Sequence, residues 1–304
     1  MAQANEIAGI LADSGLSEGI EIVAVRTTGD SEELKRTPLE GSFVDEINRL
    51  VLEGSIDGGI HSMKDVPVRL PAGLCTSVIP RRRNRVDCLV SRAYYTRLPP
   101  DSTVGTSSAR RISQLLHARS NLRPVLLRGN VTTRIAKVRA GEVDAVMLAL
   151  CGLERLGFSG EGDMRVHSLP AEQFVPAAGQ GALALVTRKD RLPEGVVERA
   201  DHPATRSEVE LERSVLDLLG AGCNSPLGVN AQSIGSGMHL RVQLLSRDGV
   251  FERKVATYIK SREELAEKLA SFTDQVSTSI LNYGNTPCLE SSQQFRQASI
   301  QSQR

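Results

Sequence analysis

The chain has 304 residues and a formal net charge of +1, and 40% of its residues are hydrophobic. This length allows two or three domains, and the balanced charge gives no indication of a nucleic-acid or membrane partner. Aromatic residues make up 3% of the chain and Trp is absent, which argues against a surface that stacks bases or sugars.

The cysteines indicate a reducing environment. There are five of them, at positions 75, 88, 151, 223 and 288, and none forms a Cys-x-x-Cys pair. Such a scattered, odd-numbered set predicts neither a disulfide framework nor a zinc site.

The longest apolar run, residues 143–153, is too short to cross a membrane, and we detect no signal peptide. We therefore expect a cytoplasmic protein with no metal, nucleic-acid or membrane partner, and we expect it to act as a monomer.

Arginine is clustered in one segment. The chain has 30 arginines and 7 lysines, and 13 of the arginines lie between Arg81 and Arg139, where an even distribution would place about six. The planar guanidinium group suits bidentate capture of carboxylates or phosphates, so the clustering predicts a polyanionic ligand for this segment. A biased genomic base composition could raise the total number of arginines, but it would not cluster them.

The first part of the chain alternates between helices and strands. Residues 2–12 have a helical pattern that ends at Gly15, and residues 20–25 are predicted to form a strand. Ser42 can cap a helix, and a strand at 56–60 follows it. This β-α-β rhythm implies parallel strands.

The segment after residue 60 carries a lysine and an aspartate that burial does not require. Pro67 forces Val66 out of the helical region, so residues 61–66 are predicted to be an extended loop. Ligands of open α/β sheets bind at loops that follow the carboxyl ends of strands. Lys64 and Asp65 are therefore candidate site residues, although an exposed ion pair on a turn would look the same in sequence.

Two successive turns between a strand and a helix share an anion-binding chemistry. The first is Gly105-Thr106-Ser107-Ser108-Ala109-Arg110-Arg111, and the second is Arg128-Gly129-Asn130-Val131-Thr132-Thr133-Arg134. Free N–H groups at a helix N-terminus favour an anion, whereas arginines in the first turn are unfavourable unless something negative compensates them. We infer one anionic ligand shared by both turns. The alternative is that Ser107 or Ser108 only caps the helix and the arginines face water.

The chain is predicted to pass between two lobes twice. Short strands at 75–79 and 88–90 flank an arginine-rich run at 81–85, which we interpret as a connection between lobes. An irregular segment at 170–182 precedes a strand at 183–186, which is consistent with a crossing back to the first lobe.

The last third predicts a small, separate α+β domain. A helix at 204–219 ends at the glycine-rich turn Gly220-Ala221-Gly222-Cys223-Asn224-Ser225-Pro226. A lone cysteine in such a turn is usually a small packed residue, but the glycines leave its sulfur room. The following elements are predicted strands at 227–231, 238–244 and 250–258 and a helix at 262–281. The Ser- and Gln-rich tail, 285–304, is predicted to be disordered.

Five motifs, in this order, resemble the porphobilinogen deaminase family, also called hydroxymethylbilane synthases. They are His61-Ser62-Met63-Lys64-Asp65-Val66-Pro67, Gly105-Thr106-Ser107-Ser108 with Arg110-Arg111, Leu127-Arg128-Gly129-Asn130 with Thr133-Arg134, Ala178-Gly179-Gln180-Gly181-Ala182, and Gly222-Cys223 with Pro226. The resemblance implies an α/β fold with two periplasmic-binding-protein-like lobes, whose sheets are rich in parallel strands, plus a small α+β C-terminal domain. The implied bounds are 1–80 with 181–200 for lobe 1, 84–176 for lobe 2 and 203–284 for the third domain.

The resemblance also implies a covalent dipyrromethane cofactor and porphobilinogen as the substrate. Cys223 matches the cysteine that carries the cofactor through a thioether, Asp65 matches the catalytic aspartate, and Lys64 matches a cofactor-contacting lysine. The other residues that the resemblance assigns to cofactor or substrate binding are Ser62, Thr106, Ser107, Ser108, Arg110, Arg111, Arg128, Gly129, Asn130 and Arg134.

The implied reaction joins four porphobilinogen units stepwise, releases ammonia at each step and ends with hydrolytic release of hydroxymethylbilane for haem-type tetrapyrrole synthesis. Each unit loses ammonia to form an azafulvene that the terminal pyrrole attacks, so positive charge develops on pyrrole nitrogens. A carboxylate at Asp65 would stabilise that charge. Each pyrrole carries an acetate and a propionate, which would account for the clustered arginines.

Two departures from the family pattern leave alternatives open. The chain starts after the opening strand of the family and its Arg-Ile-Gly-Thr-Arg-x-Ser loop, and Leu39-Glu40-Gly41-Ser42 replaces a longer lid loop that contains a lysine. A truncated, inactive homologue is one alternative. A two-lobed carboxylate-binding protein is another, although such a receptor would need neither Asp65 nor Cys223.

Overall fold

A computed structural model describes residues 1–16, 19–25, 42–189, 191–222, 224–261 and 264–273. Within these ranges the helices are α1 (Ala2–Asp13), α2 (Ser42–Glu53), α3 (Ala109–Ala118), α4 (Val131–Arg139), α5 (Leu150–Arg155), α6 (Glu194–Ala200), α7 (Pro203–Leu218) and α8 (Glu264–Thr273). The strands are β1 (Gly58–Ser62), β2 (Leu74–Val78), β3 (Asp87–Ser91), β4 (Thr103–Gly105), β5 (Arg123–Val125), β6 (Ala145–Ala149), β7 (Arg165–Ser168), β8 (Leu183–Arg188), β9 (Leu227–Ile234), β10 (Gly237–Leu245) and β11 (Glu252–Ile259).

The sheet of the first lobe has the order β1-β8-β2. Both β1 and β2 pair antiparallel with β8, so the two flanking strands run in the same direction. Successive residues of β8 point to opposite faces of this sheet. Leu183 and Leu185 pack with Ile7 of α1 on one face, and Val186 packs with Val51 of α2 on the other.

Two predictions in this lobe are wrong. Residues 20–25 do not form a strand, because they pair with no other strand in the described part of the chain, and they are exposed or half-buried. The loop predicted at 61–66 is instead a continuation of β1 to Ser62, because His61 pairs with Ala184 and Ser62 with Leu183. A single 3₁₀ turn, Met63–Asp65, then follows.

The sheet of the second lobe has the order β5-β4-β6-β3-β7. Strands β5, β4 and β6 are parallel, whereas β3 is antiparallel to β6 and β7. Buried residues of α3 cover one face and those of α4 cover the other. The carboxyl ends of the three parallel strands therefore meet at one edge, where α3, α4 and α5 begin.

The third domain is an antiparallel sheet, β11-β10-β9, that packs on α7 and α8. Its core includes Val215 of α7, Val242 of β10 and Leu269 of α8, all fully buried. The predicted fold class, two α/β lobes and a small α+β domain, is confirmed. The predicted disordered tail lies outside the described residues. None of the described helices is both long and apolar enough to cross a membrane.

The two connections between the lobes pack directly against each other. The N–H group of Arg83 donates to the carbonyl of Gly181 at 3.1 Å. Gly181 has a φ of +91°, and a Cβ atom there would lie 2.6 Å from the Arg83 carbonyl oxygen and 2.8 Å from that of Asn84. Only glycine fits this crossing, since both the backbone conformation and the available space exclude a side chain.

Candidate active site

A cleft of about 220 Å³ lies between the two lobes. Seven of the site residues predicted from sequence line it, namely Ser62, Lys64, Asp65, Arg111, Gly129, Asn130 and Arg134. The other lining residues are Gln3, Val131, Leu148, Ala149, Cys151, Gly152, Arg155, Gly181 and Ala182. We refer to this whole set as the interlobe cleft.

The wall formed by the first lobe comes from the end of β1 and the 3₁₀ turn after it. Ser62 accepts a hydrogen bond from the side-chain amide of Gln3 at 2.8 Å, which ties α1 to this wall. Lys64 and Asp65 follow on the turn, and Asp65 is exposed. Burial lowers the pKa of Lys64, and the neighbouring Asp65 carboxylate partly opposes that shift.

Contacts from elsewhere in the chain fix this turn. Gly179 approaches so closely that a Cβ atom there would lie 2.6 Å from Cγ of Met63 and 3.2 Å from the backbone nitrogen of Lys64. From α7, the guanidinium of Arg213 donates to the carbonyls of Val66, Pro67 and Val68 at 3.0, 2.5 and 3.0 Å. The connecting segment therefore holds the residues before Asp65, and the third domain holds those after it.

The wall formed by the second lobe includes Arg111, whose guanidinium is held from behind. Its Nη2 and Nε atoms donate to Oδ1 of Asp87 at 2.7 and 3.0 Å, and its Nη1 donates to the carbonyl of Met147 at 3.2 Å. Arg110 donates from Nη1 to Oδ2 of Asp87 at 2.6 Å. Burial alone would raise the pKa of Asp87, but the two guanidinium groups outweigh it and hold that pKa well below its ordinary value.

The negative charge that compensates Arg110 and Arg111 comes from Asp87. The sequence predicted that a bound anion offsets the two arginines of the first α3 turn, whereas the structure provides a carboxylate of the chain itself, at the start of β3. Arg110 also donates to Gln114 and to the carbonyl of Val175, and it does not line the cleft. A direct role for Arg110 in ligand binding stays a prediction.

The hydroxyl-bearing residues before α3 shape the turn rather than line the cleft. Thr106 is fully buried and accepts from the N–H group of Ser108 at 3.2 Å. Ser108 in turn caps α3, because its hydroxyl accepts from the N–H group of Arg111 at 3.5 Å. Ser107 is exposed and lies outside the described lining of the cleft. Ser108 thus caps this helix, as the alternative expected, but the other half of that alternative is wrong, because Arg110 and Arg111 are buried and do not face water.

The second turn presents its residues to the cleft. Asn130 caps α4, and its side-chain oxygen accepts from the N–H group of Thr133 at 2.8 Å. Arg134 donates from Nε to the carbonyl of Gly129 at 2.7 Å and has no carboxylate partner among the described residues. Burial and the nearby Arg111 both lower the pKa of Arg134, although a guanidinium remains charged at neutral pH. Arg128 is exposed and does not line the cleft.

Arg155 is a further cation of the cleft that the sequence patterns did not predict. It ends α5 and donates from Nη2 to the carbonyl of Gly181 at 3.1 Å. Its position in the sequence could have indicated a site residue, because α5 is the third helix that begins at the carboxyl edge of the parallel strands. The arginine lies at the end of that helix instead of in its first turn, so the pattern of the other two turns did not find it.

The charge of the cleft suits a ligand with several carboxylates. Among the described residues, four cations line it, Lys64, Arg111, Arg134 and Arg155, and one carboxylate, that of Asp65. A dipyrromethane bears acetate and propionate groups on both rings, so the donor set fits the cofactor that the family resemblance implies. Cys223, its predicted attachment point, lies outside the described residues.

Comparisons with known proteins agree with this chemistry. Residues 1–193 match the family model described as porphobilinogen deaminase, dipyromethane cofactor binding domain, and residues 207–272 match the C-terminal domain model of the same family. A probable porphobilinogen deaminase of Methanothermobacter thermautotrophicus is 38% identical over 275 residues, which cover 89% of this chain and 94% of the relative. The porphobilinogen deaminase of Rubrobacter xylanophilus is 38% identical over 255 residues, 82% of each chain.

Proposed function

This chain belongs to the porphobilinogen deaminase family, and we propose that its interlobe cleft joins four porphobilinogen units into hydroxymethylbilane, a precursor of tetrapyrroles. The observation that carries the proposal is that Asp65 and four cationic side chains line one cleft. The reaction requires both signs of charge there, because the substrate brings carboxylates and the reacting pyrrole nitrogens become positive. The protein is accordingly a transferase.

The cations act on carboxylates that are present throughout the reaction. Arg134 and Arg155 face the cleft and have donors suited to the acetate and propionate groups of the substrate. The cap at Asn130 leaves the N-terminal end of α4 at the cleft, where its dipole favours an anion as well. Together these groups hold the units in place by charge, without taking part in bond formation.

The cofactor is dipyrromethane, since residues 1–193 match the cofactor-binding domain of the family. We propose that Cys223 attaches it, because this cysteine lies in the motif that resembles the family's attachment turn. When bound, the group supplies the free pyrrole α-carbon from which the chain grows. Ser62, Lys64 and Arg111 line the cleft, where they would donate hydrogen bonds to its carboxylates.

Asp65 acts where the covalent change occurs. At each step the C–N bond of the aminomethyl group breaks, ammonia leaves, a C–C bond to a pyrrole α-carbon forms, and that carbon loses its proton. Positive charge appears on pyrrole nitrogens as ammonia departs. A fixed carboxylate stabilises that charge and can move the proton, and the interaction exists only while the charge does.

The experiment that tests this proposal measures ammonia release and tetrapyrrole formation from porphobilinogen. We expect the wild-type protein to produce both and Asp65→Asn to lower kcat by about 10²–10³-fold with little change in KM, because the amide keeps the shape and loses the charge. Asp57→Asn is the control, since Asp57 makes a surface ion pair with Arg191 near the start of β1. A wild-type protein that binds porphobilinogen without releasing ammonia would instead identify a carboxylate receptor.

We further propose that the enzyme works in the cytoplasm. Cys75, Cys88 and Cys151 are unpaired thiols, which suits a reducing compartment. The monomeric state stays a prediction, as does the binding role of Thr106, Ser107, Ser108, Arg110 and Arg128.

A further inference from the structure

A glutamate stands directly behind the cleft and contacts one of its cations. Oε2 of Glu6, on α1, accepts from Nε of Arg155 at 3.0 Å. Oε1 of the same carboxylate accepts from Nε of Arg83 at 3.0 Å. The Arg155 side chain is 7% exposed and that of Glu6 is 18% exposed, so water screens their pair only partly.

Glu6 is ionised at neutral pH. Burial raises the pKa of Glu6, but the hydrogen bonds from Arg83 and Arg155 lower it by more, so the net shift of the pKa is downward. A permanently charged carboxylate of the chain therefore contacts Arg155, which also lines the cleft. A carboxylate of a bound ligand would approach the same guanidinium.

Arg155 and Glu6 each have a second hydrogen-bond partner, which remains when their contact opens. Arg155 keeps its hydrogen bond from Nη2 to the carbonyl of Gly181, which anchors the guanidinium at the cleft. Glu6 keeps Arg83, whose side chain is 42% exposed. When the Glu6–Arg155 contact opens, Arg155 keeps a hydrogen-bond partner but loses its internal counter-charge. A ligand carboxylate that binds there supplies the counter-charge in place of Glu6.

We propose that Glu6 is a specificity-determining residue that competes with ligand carboxylates for Arg155. A ligand carboxylate binds Arg155 only if it displaces the carboxylate of Glu6. Ligands whose carboxylates interact weakly with Arg155 therefore bind less tightly than they would without Glu6. The inference rests on the proposed function for the identity of the natural ligand, porphobilinogen and the chain built from it. The competition itself is a property of the cleft and does not require turnover.

The test uses succinate, a dicarboxylate that cannot react, and the holoprotein as purified. We would measure its dissociation constant from the rise in melting temperature at constant ionic strength. Removing the charge in Glu6→Gln is expected to tighten succinate binding by about threefold to tenfold, the effect of freeing one partly screened arginine. Glu154→Gln is the matched control, since it removes one exposed carboxylate from the neighbouring residue of α5, and its dissociation constant should equal that of the wild type.

A double variant tests whether the tighter succinate binding of Glu6→Gln depends on Arg155. In Glu6→Gln with Arg155→Gln the tightening should disappear, because the arginine that Glu6 competes for is gone. For porphobilinogen we expect Glu6→Gln to lower KM with at most a twofold change in kcat, a split that a purely structural role would not produce. If Glu6→Gln shows no cooperative melting transition, Glu6→Asp replaces it, since its shorter side chain weakens the hold on Arg155 and should shift binding in the same direction.

Unchanged or weaker succinate binding in Glu6→Gln would overturn the proposal, as would tightening that persists without Arg155. These outcomes differ from a failure of the proposed function. A wild-type protein that releases no ammonia, yet binds succinate more tightly once Glu6 is neutralised, would contradict the activity and support the competition.

Discussion

At the scale of single residues, the strand that leads into the cleft carries a second group with unusual chemistry. His61 is 5% exposed, and its buried Nε2 atom has no hydrogen-bond partner among the residues that the structure describes. Burial lowers its pKa to about 4, and the nearby Asp65 only partly opposes this. The neighbouring space is full, because a Cβ atom at Gly59 would lie 2.8 Å from that nitrogen. The imidazole is therefore neutral in the folded protein at neutral pH.

His61 predicts a pH-dependent stability. Between about pH 6.5 and pH 4 the unfolded chain binds the proton more tightly than the folded one, so the free energy of unfolding falls as pH falls, by roughly 3 kcal/mol over the full window. Melting temperatures measured from pH 7 to pH 4.5 should therefore fall less steeply for His61→Leu than for the wild type. His239→Leu, which removes a half-buried histidine of β10, is the control. Equal slopes for His61→Leu and the wild type would contradict the account.

Sequence reasoning located the cleft residues that belong to patterns. Lys64 and Asp65 were found because they follow a strand and precede a proline, and Arg134 was found because two turns repeat one chemistry. Glu6 and Arg155 are not predicted, since each is a single charged residue on a helix and only the tertiary fold brings them together. Whether the lining residues act as assigned stays a prediction that kinetics must test.

At the scale of elements, the first turn of α3 depends on the start of β3. Arg110 and Arg111 would destabilise a helix N-terminus by themselves, and the buried carboxylate of Asp87 offsets both. The side-chain amide of Gln180 also donates to that carboxylate, at 3.0 Å. One aspartate therefore connects α3, β3 and the segment that returns to the first lobe.

Replacing Asp87 should consequently be costly. Asp87→Asn leaves two buried guanidinium groups without a counter-charge, and we expect the free energy of unfolding in urea to fall by about 3–5 kcal/mol. Asp163→Asn is the control, since it breaks an exposed ion pair with Arg92 in the same lobe and should cost about 0–1 kcal/mol. A loss for Asp87→Asn no larger than that of the control would show that the charge of Asp87 does not support α3.

Elements with strong patterns were predicted and those without them were not. The helix α1 was predicted from its apolar spacing, and β8 from an apolar run after the second connection. Strand β7 was missed because Arg165–Ser168 is mostly polar and only partly buried, so alternation gives little signal. The prediction of a strand at 20–25 is wrong although the sequence pattern favours a strand there. No neighbouring strand pairs with this segment in the described structure.

At the scale of the whole molecule, one buried carboxylate joins the lobe connections to the third domain. Oε1 of Glu212, on α7, accepts from Nη1 of Arg82 at 2.9 Å and from the N–H group of Ala231 in β9 at 2.8 Å. Its Oε2 accepts from the N–H group of Gly179 at 2.6 Å. With Arg213 on the same helix, this contact holds the third domain against the turn that carries Asp65. These contacts fix α7 relative to the cleft.

The sequence predicted three units but could not predict how they are joined. Arg82 belonged to a run interpreted as a connection between lobes, and Glu212 lay on an amphipathic helix with no special pattern. Their contact spans 130 positions of the chain, and a pairing over that distance leaves no periodic trace in one sequence. The family resemblance supplied the overall arrangement instead.

The most direct test of the central claim, that this chain builds a tetrapyrrole on a covalent dipyrromethane, is intact-protein mass spectrometry before and after incubation with porphobilinogen. We expect the purified protein to exceed its sequence mass by two linked pyrrole units and to gain further units, one at a time, when porphobilinogen is added. Cys223→Ser should show neither gain, whereas Cys75→Ser, which changes an unpaired thiol of β2, should show both. A wild-type protein found only at its sequence mass, with and without porphobilinogen, would contradict the account.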